Sequence, residues 1–205
     1  ATTADSTPAD ASEEDSDAQT VYPVTVTDQA GREVTIEKEP ESIVSGYYIS
    51  TSLLLALGLK DKVTGIEAKA GKRPIYKLAA PEFLELPNVG TAKEFDLETC
   101  ASLSPELVIL PMKLKDAAQS LSELDIPVLL VNPESEDQLE QMIELVSTAT
   151  NTKENADALL SYIDEKKEML EKDLSGVDAK SVYLAGNSSL LSTAGPAMYQ
   201  SGLIE

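Results

Sequence analysis

At 205 residues and 42% hydrophobic content the chain can bury a sizeable core, and with 4% aromatic residues that core must be mainly aliphatic. A net charge of −20 repels phosphates, which excludes nucleic acid and an anionic membrane surface as binding partners. The absence of any histidine removes Ser-His-Asp and Cys-His catalysis, imidazole acid/base chemistry and every histidine-based zinc or manganese site.

In chain order, residues 1–20 are Ala, Ser, Thr, Asp and Glu with one proline, Pro8, one glutamine, Gln19, and no large apolar side chain, and are expected to be a disordered acidic linker. Val21–Thr27 and Arg32–Ile36 alternate around Asp28-Gln29-Ala30-Gly31, which predicts a β-hairpin ending at Pro40. Ile43-Val44-Ser45 reads as a short buried strand. Gly46 permits a turn, Ser50 is placed to cap a helix, Leu53, Leu54 and Leu57 form its buried stripe, and Gly58 ends it. Lys62–Ile66 predicts a second strand. The loop after it carries Lys69, Lys72, Arg73, Tyr76 and Lys77, and the stretch from Gly65 to Gly71-Lys72 does not fit a phosphate loop, because it has one residue too many between the glycines and Arg73 stands where a magnesium-binding Ser or Thr belongs.

Leu86–Gly90 predicts a short strand into a turn, and Asp96 caps a helix with Glu98 in its first turn and Cys100, read as a small buried hydrophobe, inside it. Leu107–Leu110 and Pro127–Val131 are continuous apolar runs typical of strands covered on both faces, with a helix over 114–124 between them. Ser135 caps a further helix whose apolar face is Leu139, Met142, Ile143 and Val146. Asn151 with Glu154 opens a helix of roughly 23 residues, about 34 Å long, with Ala156, Leu159, Leu160, Ile163, Leu170 and Leu174 on its buried face and Gly176 at its end. Ser181–Gly186 predicts one more strand, with a helix starting near Pro196. Alternating strands and helices imply an α/β, Rossmann-like three-layer lobe on a mostly parallel sheet. No run reaches the ~20 apolar residues of a membrane span.

Charge is unevenly distributed. Residues 134–174 hold twelve acids against four lysines, whereas residues 60–115 hold nine bases against eight acids. Bases gathered at one end of the sheet would make a local positive site, although each is equally well a solvated surface side chain.

The segments Val24–Asp28, Gly31–Ile36, Ile43-Val44-Ser45 before Leu54–Gly58, Leu103–Ile109 and Leu191–Pro196 resemble substrate-binding proteins of the ABC importers for iron complexes and cobalamin. The resemblance covers residues 21–205. It implies an N-terminal α/β lobe over 21–150, a long inter-lobe helix over 151–175, and the beginning of a C-terminal lobe over 176–205, of which on the order of 100 further residues would lie outside this sequence. It also implies that the acidic leader is the linker of a cell-surface lipoprotein on the outer face of the cytoplasmic membrane (or periplasm), held to the membrane only through a lipid anchor that this sequence does not contain.

On the same resemblance, loops after the strands line a cleft and supply Tyr47, Tyr48, Ser50, Lys69, Lys72, Arg73, Tyr76, Lys93, Met112 and Lys113. Tyrosines stack on flat ligands and bases pair with carboxylate or catecholate oxygens, a palette suited to a ferric siderophore. Haem or a cobamide is the alternative, with Tyr76 a candidate iron ligand if haem is carried. Glu98 is the candidate contact to the transporter permease, and is equally a helix-start acid on the dipole. The resemblance implies a monomer without a cofactor of its own and without catalysis. A surface scaffold or adhesion module, or an enzyme on the same sheet, are the readings from other classes.

Overall fold

The computed structural model describes residues 19–178 and Ser181. A two-stranded antiparallel hairpin, β1 (Val24–Thr27) and β2 (Glu33–Ile36), precedes a four-stranded parallel sheet of β3 (Ile43–Ser45), β4 (Val63–Ile66), β5 (Leu107–Pro111) and β6 (Val128–Val131) in the order β4-β3-β5-β6. Among the described residues the α-helices are α1 (Tyr48–Ala56), α2 (Pro74–Ala79), α3 (Leu97–Ser102), α4 (Lys115–Ser122), α5 (Glu136–Thr150) and α6 (Lys153–Leu174). The expected hairpin and the expected parallel sheet are both present.

The apolar strands divide their side chains between two cores, as a sheet covered on both faces requires. Ile43, Leu107, Ile109, Leu129 and Val131 point to one face, with the apolar residues of α1 and α5 and those of the hairpin. Val44, Val108, Leu110, Val128 and Leu130 point to the other, with Cys100 of α3 and Ala118 and Leu121 of α4. Three layers result. Cys100 is fully buried, and burial pushes its thiol up to about 12.

Helix boundaries follow local chemistry. Gly58 adopts φ +77°, and the amides of Gly58 and Leu59 donate to the carbonyls of Leu55 and Leu54, so α1 ends in a Schellman motif that a side chain at position 58 would strain. Asp96 and Ser135 cap α3 and α5, accepting hydrogen bonds from the amides of Thr99 and Gln138. Ser50 does not cap α1. The helix starts at Tyr48 and Ser50 lies inside its first turn, fully buried. Asn151 likewise does not open α6; it closes α5 in the left-handed conformation, φ +56°, leaving Thr152 at the start of α6. The strand expected at 86–90 is reduced to two isolated bridges, Asn88 parallel to Ile66 and Gly90 antiparallel to Phe95.

Helix α6 has 22 residues against 15 in α5, an excess worth about 10 Å of helix. Its first half is packed, with Ala156 buried and the Asn155 side-chain amide donating to the Leu57 carbonyl at 2.8 Å. Lys167 then pairs with Glu136 and Glu140 of α5. Leu170 and Leu174, expected on a buried face, are 54% and 60% exposed, because α5 has ended beneath them. Apart from Ser181, the expected strand over 181–186 lies outside the described residues, as do the helix near Pro196 and residues 1–18 of the expected linker. Thr20, the last residue of that expected linker, is tied down: its amide donates to Asn151 Oδ1 and its hydroxyl to the Thr148 carbonyl.

The open edge of β6 is closed by the hairpin turn. Asp28 is buried; its carboxylate accepts from the Leu130 amide at 3.1 Å and from both Nε and Nη2 of Arg32, while Arg32 Nη2 also donates to the Val128 carbonyl at 2.7 Å. Gln29 completes the edge, its amide donating to the Leu130 carbonyl and its side-chain oxygen accepting from the Asn132 amide. An ion pair whose acid has lost its solvent is costly to break from one side. Asp28→Ala should therefore destabilise the fold by roughly 3 kcal/mol. The urea midpoint measures it, and a loss below about 1 kcal/mol would show that Gln29 suffices to hold the edge.

Candidate functional site

The strand order places β3 between β4 and β5, so the chain leaves β3 to one side and returns on the other. In open α/β sheets the crevice beyond the carboxyl ends of such a pair is the place where ligands sit. Here it is bordered by Gly46-Tyr47 after β3 and by Met112-Lys113 after β5. The Gly46 amide donates to the Ile109 carbonyl at 2.9 Å. A side chain at position 46 would meet Leu110 Cδ2 at 2.6 Å and the Phe95 ring at 3.3 Å. Gly46 is thus required by close approach and not, as the sequence suggested, by the turn itself.

Tyr47 and Tyr48 stand at this end of the sheet with ring centroids 5.2 Å apart and planes at 71°. The Arg73 guanidinium lies over the Tyr48 ring, 4.0 Å from its centroid, which links the loop after β4 to the loop after β3. Tyr47 is half-buried, and burial, then Tyr48, then Glu134 push its phenol up to about 12. Glu134, on the loop after β6, thus faces the same cluster. Lys69 takes the left-handed conformation, φ +71°, and with Lys72 is exposed on the turn preceding α2. Lys93 occupies the tight turn 91–94, whose flanking Phe95 packs beside Gly46. Met112 is half-buried and Lys113 exposed at the exit of β5. Among the described residues Lys69, Lys72, Arg73, Lys93 and Lys113 have no ion-pair partner, whereas Lys60 pairs with Glu82 and Lys62 with Glu39 and Glu41.

Two of the expected surface residues lie beneath the cluster instead. Tyr76 is fully buried, packs edge-on against Phe83, and donates to Glu67 Oε1 at 2.7 Å. It is no open iron ligand: its hydroxyl is occupied, and burial followed by the Glu67 hydrogen bond raises its pKa. Ser50 is also buried, its hydroxyl donating to the Tyr47 carbonyl at 2.8 Å and lying 2.7 Å from the Ser45 hydroxyl.

These residues belong to a network that the sequence did not disclose. Glu67 is 6% exposed; Oε2 accepts from Thr51 Oγ1 at 2.7 Å, and Thr51 Oγ1 lies 2.8 Å from Ser45 Oγ. Desolvation raises the pKa of Glu67, opposed by the hydrogen bonds from Thr51 and Tyr76 and by the charge of Arg73. Its one sequence signal is an acid set directly after a strand, at the head of a loop otherwise rich in bases. Glu98 is exposed in the first turn of α3.

The model of the family described as "Periplasmic binding protein" matches residues 43–202. The chain belongs to that family. A curated relative, the Bacillus subtilis ABC transporter substrate-binding lipoprotein YvrC, itself uncharacterised, is 32% identical over 176 residues, 80% of this chain and 52% of its own. A periplasmic solute binding protein from Veillonella parvula superposes with a TM-score of 0.68 at 28% identity, over 77% of this chain and 50% of its own. The molybdate-binding MolA of Haemophilus influenzae gives a TM-score of 0.70 at 21% identity over 76% and 55%. The siderophore-binding protein BauB, bound to acinetobactin and ferric iron, gives 0.66 at 16% identity over 81% and 59%. The last two are alike in fold alone. The chain spans about half the length of these relatives. Among the described residues no helix is long and apolar enough to cross a membrane.

A raised Glu67 pKa means that the folded state holds this proton more tightly than the unfolded chain does. The stability Glu67 contributes is then fully present at low pH and falls as pH rises above the ordinary carboxylate value of 4.5. Glu67→Gln removes that dependence. The urea midpoint of the variant should therefore gain on wild type between pH 4.5 and 7.5. A gap widening in the opposite direction would show that Thr51, Tyr76 and Arg73 outweigh burial.

Proposed function

We propose that this chain is the N-terminal lobe and inter-lobe helix of an extracytoplasmic solute-binding protein that captures a ferric siderophore for an ABC importer. The observation that carries the reading is Arg73 stacked on Tyr48 beside Tyr47, with Lys113 at the neighbouring strand exit. The cluster offers aromatic faces and unpaired cations at the end of the sheet where such folds take their ligands. A ferric siderophore is a bulky complex with anionic oxygens and apolar ligand arms, and both kinds of surface are matched. BauB gives the reading a structural precedent, and MolA, which binds molybdate, shows that the fold alone does not choose the ligand. Haem fits less well, since the Tyr76 hydroxyl is committed to Glu67.

On this reading α6 (Lys153–Leu174) is the joint between lobes, and its uncovered Met169, Leu170 and Leu174 would face the opposing lobe. Glu98, exposed beyond the sheet, is the proposed contact for a permease cation. The leader over residues 1–20 is proposed as the tether of a lipoprotein, in keeping with the YvrC relative.

With no tryptophan and seven tyrosines in this sequence, intrinsic fluorescence reports tyrosine alone. Titration of ferric tris-catecholate, haemin, cobalamin and molybdate into the protein should give saturable quenching with the ferric complex. Arg73→Ala should weaken that binding about tenfold, the order of one lost charge-assisted contact. Saturation by molybdate or cobalamin without response to the ferric complex would overturn the reading. In cells fed ferric siderophore as sole iron source, Glu98→Lys should impair uptake while leaving binding in vitro intact; unimpaired uptake would remove Glu98 from the transporter contact.

A further inference from the structure

We propose that Glu67 is the positioning residue of this site: its carboxylate fixes the two tyrosines from below. Each carboxylate oxygen is held by one hydroxyl, and each of those hydroxyls touches the backbone of one tyrosine. Oε2 accepts from Thr51, whose Oγ1 is 3.2 Å from the Tyr47 carbonyl. Oε1 accepts from Tyr76, whose hydroxyl is 3.3 Å from the Tyr48 carbonyl. A hydroxyl has one hydrogen, so the short 2.7 Å bonds to the carboxylate take it and leave the longer contacts as the weaker share. The tyrosine pair is thereby bracketed from two elements, α1 through Thr51 and α2 through Tyr76, with Glu67 at the end of β4 as the common anchor. Arg73 adds a third link, since it rests on the Tyr48 ring while its charge acts on Glu67.

A buried acid is an expensive way to fill space, and an apolar residue would serve packing alone at less cost. The arrangement makes sense where a pair of aromatic side chains must be held in one geometry without being covered, because Tyr48 remains 40% exposed above the network. Glutamine at this position would accept from one hydroxyl and donate to the other, whose hydrogen then turns to a tyrosine carbonyl. Both bridges survive. Leucine would cut the link between α1 and α2 and leave each hydroxyl only its tyrosine carbonyl.

The placement of the tyrosines stands on the geometry; the effect on affinity rests on the solute-binding reading above. The test compares wild type with Glu67→Leu, Glu67→Gln and Tyr76→Phe, the last cutting one arm while keeping the ring. Amide hydrogen exchange is followed at Thr51, which donates to the Tyr47 carbonyl, and at Val108, which donates to the Pro127 carbonyl from the centre of the sheet. In Glu67→Leu, exchange at Thr51 should accelerate about tenfold or more relative to Val108, with a smaller effect in Tyr76→Phe and less than about threefold in Glu67→Gln. The Tyr47 phenol, held at about 12, should fall toward its ordinary value of 10 in Glu67→Leu, read by absorbance titration. Affinity for ferric tris-catecholate should drop about tenfold in Glu67→Leu and be rescued in Glu67→Gln. Equal acceleration at Thr51 and Val108, or none at Thr51, would overturn the proposal and leave Glu67 an ordinary core residue. If Glu67→Leu does not fold, an unchanged Thr51-to-Val108 ratio in Tyr76→Phe overturns it equally. Selective loosening in a protein that binds no ferric complex would uphold the positioning role and sink the ligand reading.

Discussion

The contact on which the candidate site depends is the approach of β3 to β5 at Gly46. Leu110 occupies the volume that any side chain at position 46 would need, and the Gly46 amide closes onto the Ile109 carbonyl. Because β3 and β5 adjoin while the chain passes to opposite sides of them, their exit loops diverge and leave a crevice between. One hydrogen bond and one missing Cβ thus convert a sheet topology into a place for a ligand. Widening this junction would separate Tyr47 from Lys113 without unfolding either strand.

Beneath that junction the chain accepts a buried carboxylate, which is energetically unusual in an aliphatic core. Glu67 is tolerated because both of its oxygens are satisfied by hydroxyls and Arg73 lies near enough to act on its charge. Asp28 solves the same problem at the other side of the sheet with a direct guanidinium pair and a backbone amide. The two acids differ in purpose. Asp28 replaces a missing neighbour strand along β6, whereas Glu67 serves a surface that the protein leaves open.

The sheet and its two cores were legible because Leu107–Leu110 and Pro127–Val131 are uninterrupted apolar runs, and such runs have few stable placements besides strands covered on both faces. Gly58, Asp96 and Ser135 were legible as helix ends because capping is a local interaction between a residue and the next few amides. Ser50 and Asn151 misled for the converse reason. Each is a good cap by type, yet Ser50 was drawn into a tertiary hydroxyl network, and Asn151 spent its left-handed tolerance on ending α5 and its side-chain amide on Glu39. Tyr76 and Glu67 were beyond local reading. A tyrosine among four loop bases looks exposed until the chain between Glu67 and Tyr76 folds it under α1, and no pattern in sequence records that return. The burial of Leu170 and Leu174 was overestimated because periodicity reports a face of α6 but not where its partner stops.

The charge distribution bears on how an anionic ligand could reach this site at all. The sequence carries −20 overall, so at low ionic strength the distant field opposes an anion. At physiological salt, charges more than about 8 Å apart are largely screened, and the approach is then governed by the side chains nearest the crevice. Lys69, Lys72, Arg73, Lys93 and Lys113 carry no ion-pair partner among the described residues, while Lys60 and Lys62, farther from the strand exits, are neutralised by glutamates. Lys77, Lys115 and Lys172 are likewise unpaired among the described residues, so uncompensated positive charge includes the candidate site without being confined to it, and at the strand exits it contrasts with the paired Lys60 and Lys62. On the proposed reading, selectivity for an anion resides in this short-range contrast, and the acidic remainder of the molecule works against non-specific adsorption to anionic surfaces without weakening the ligand once it has come within contact.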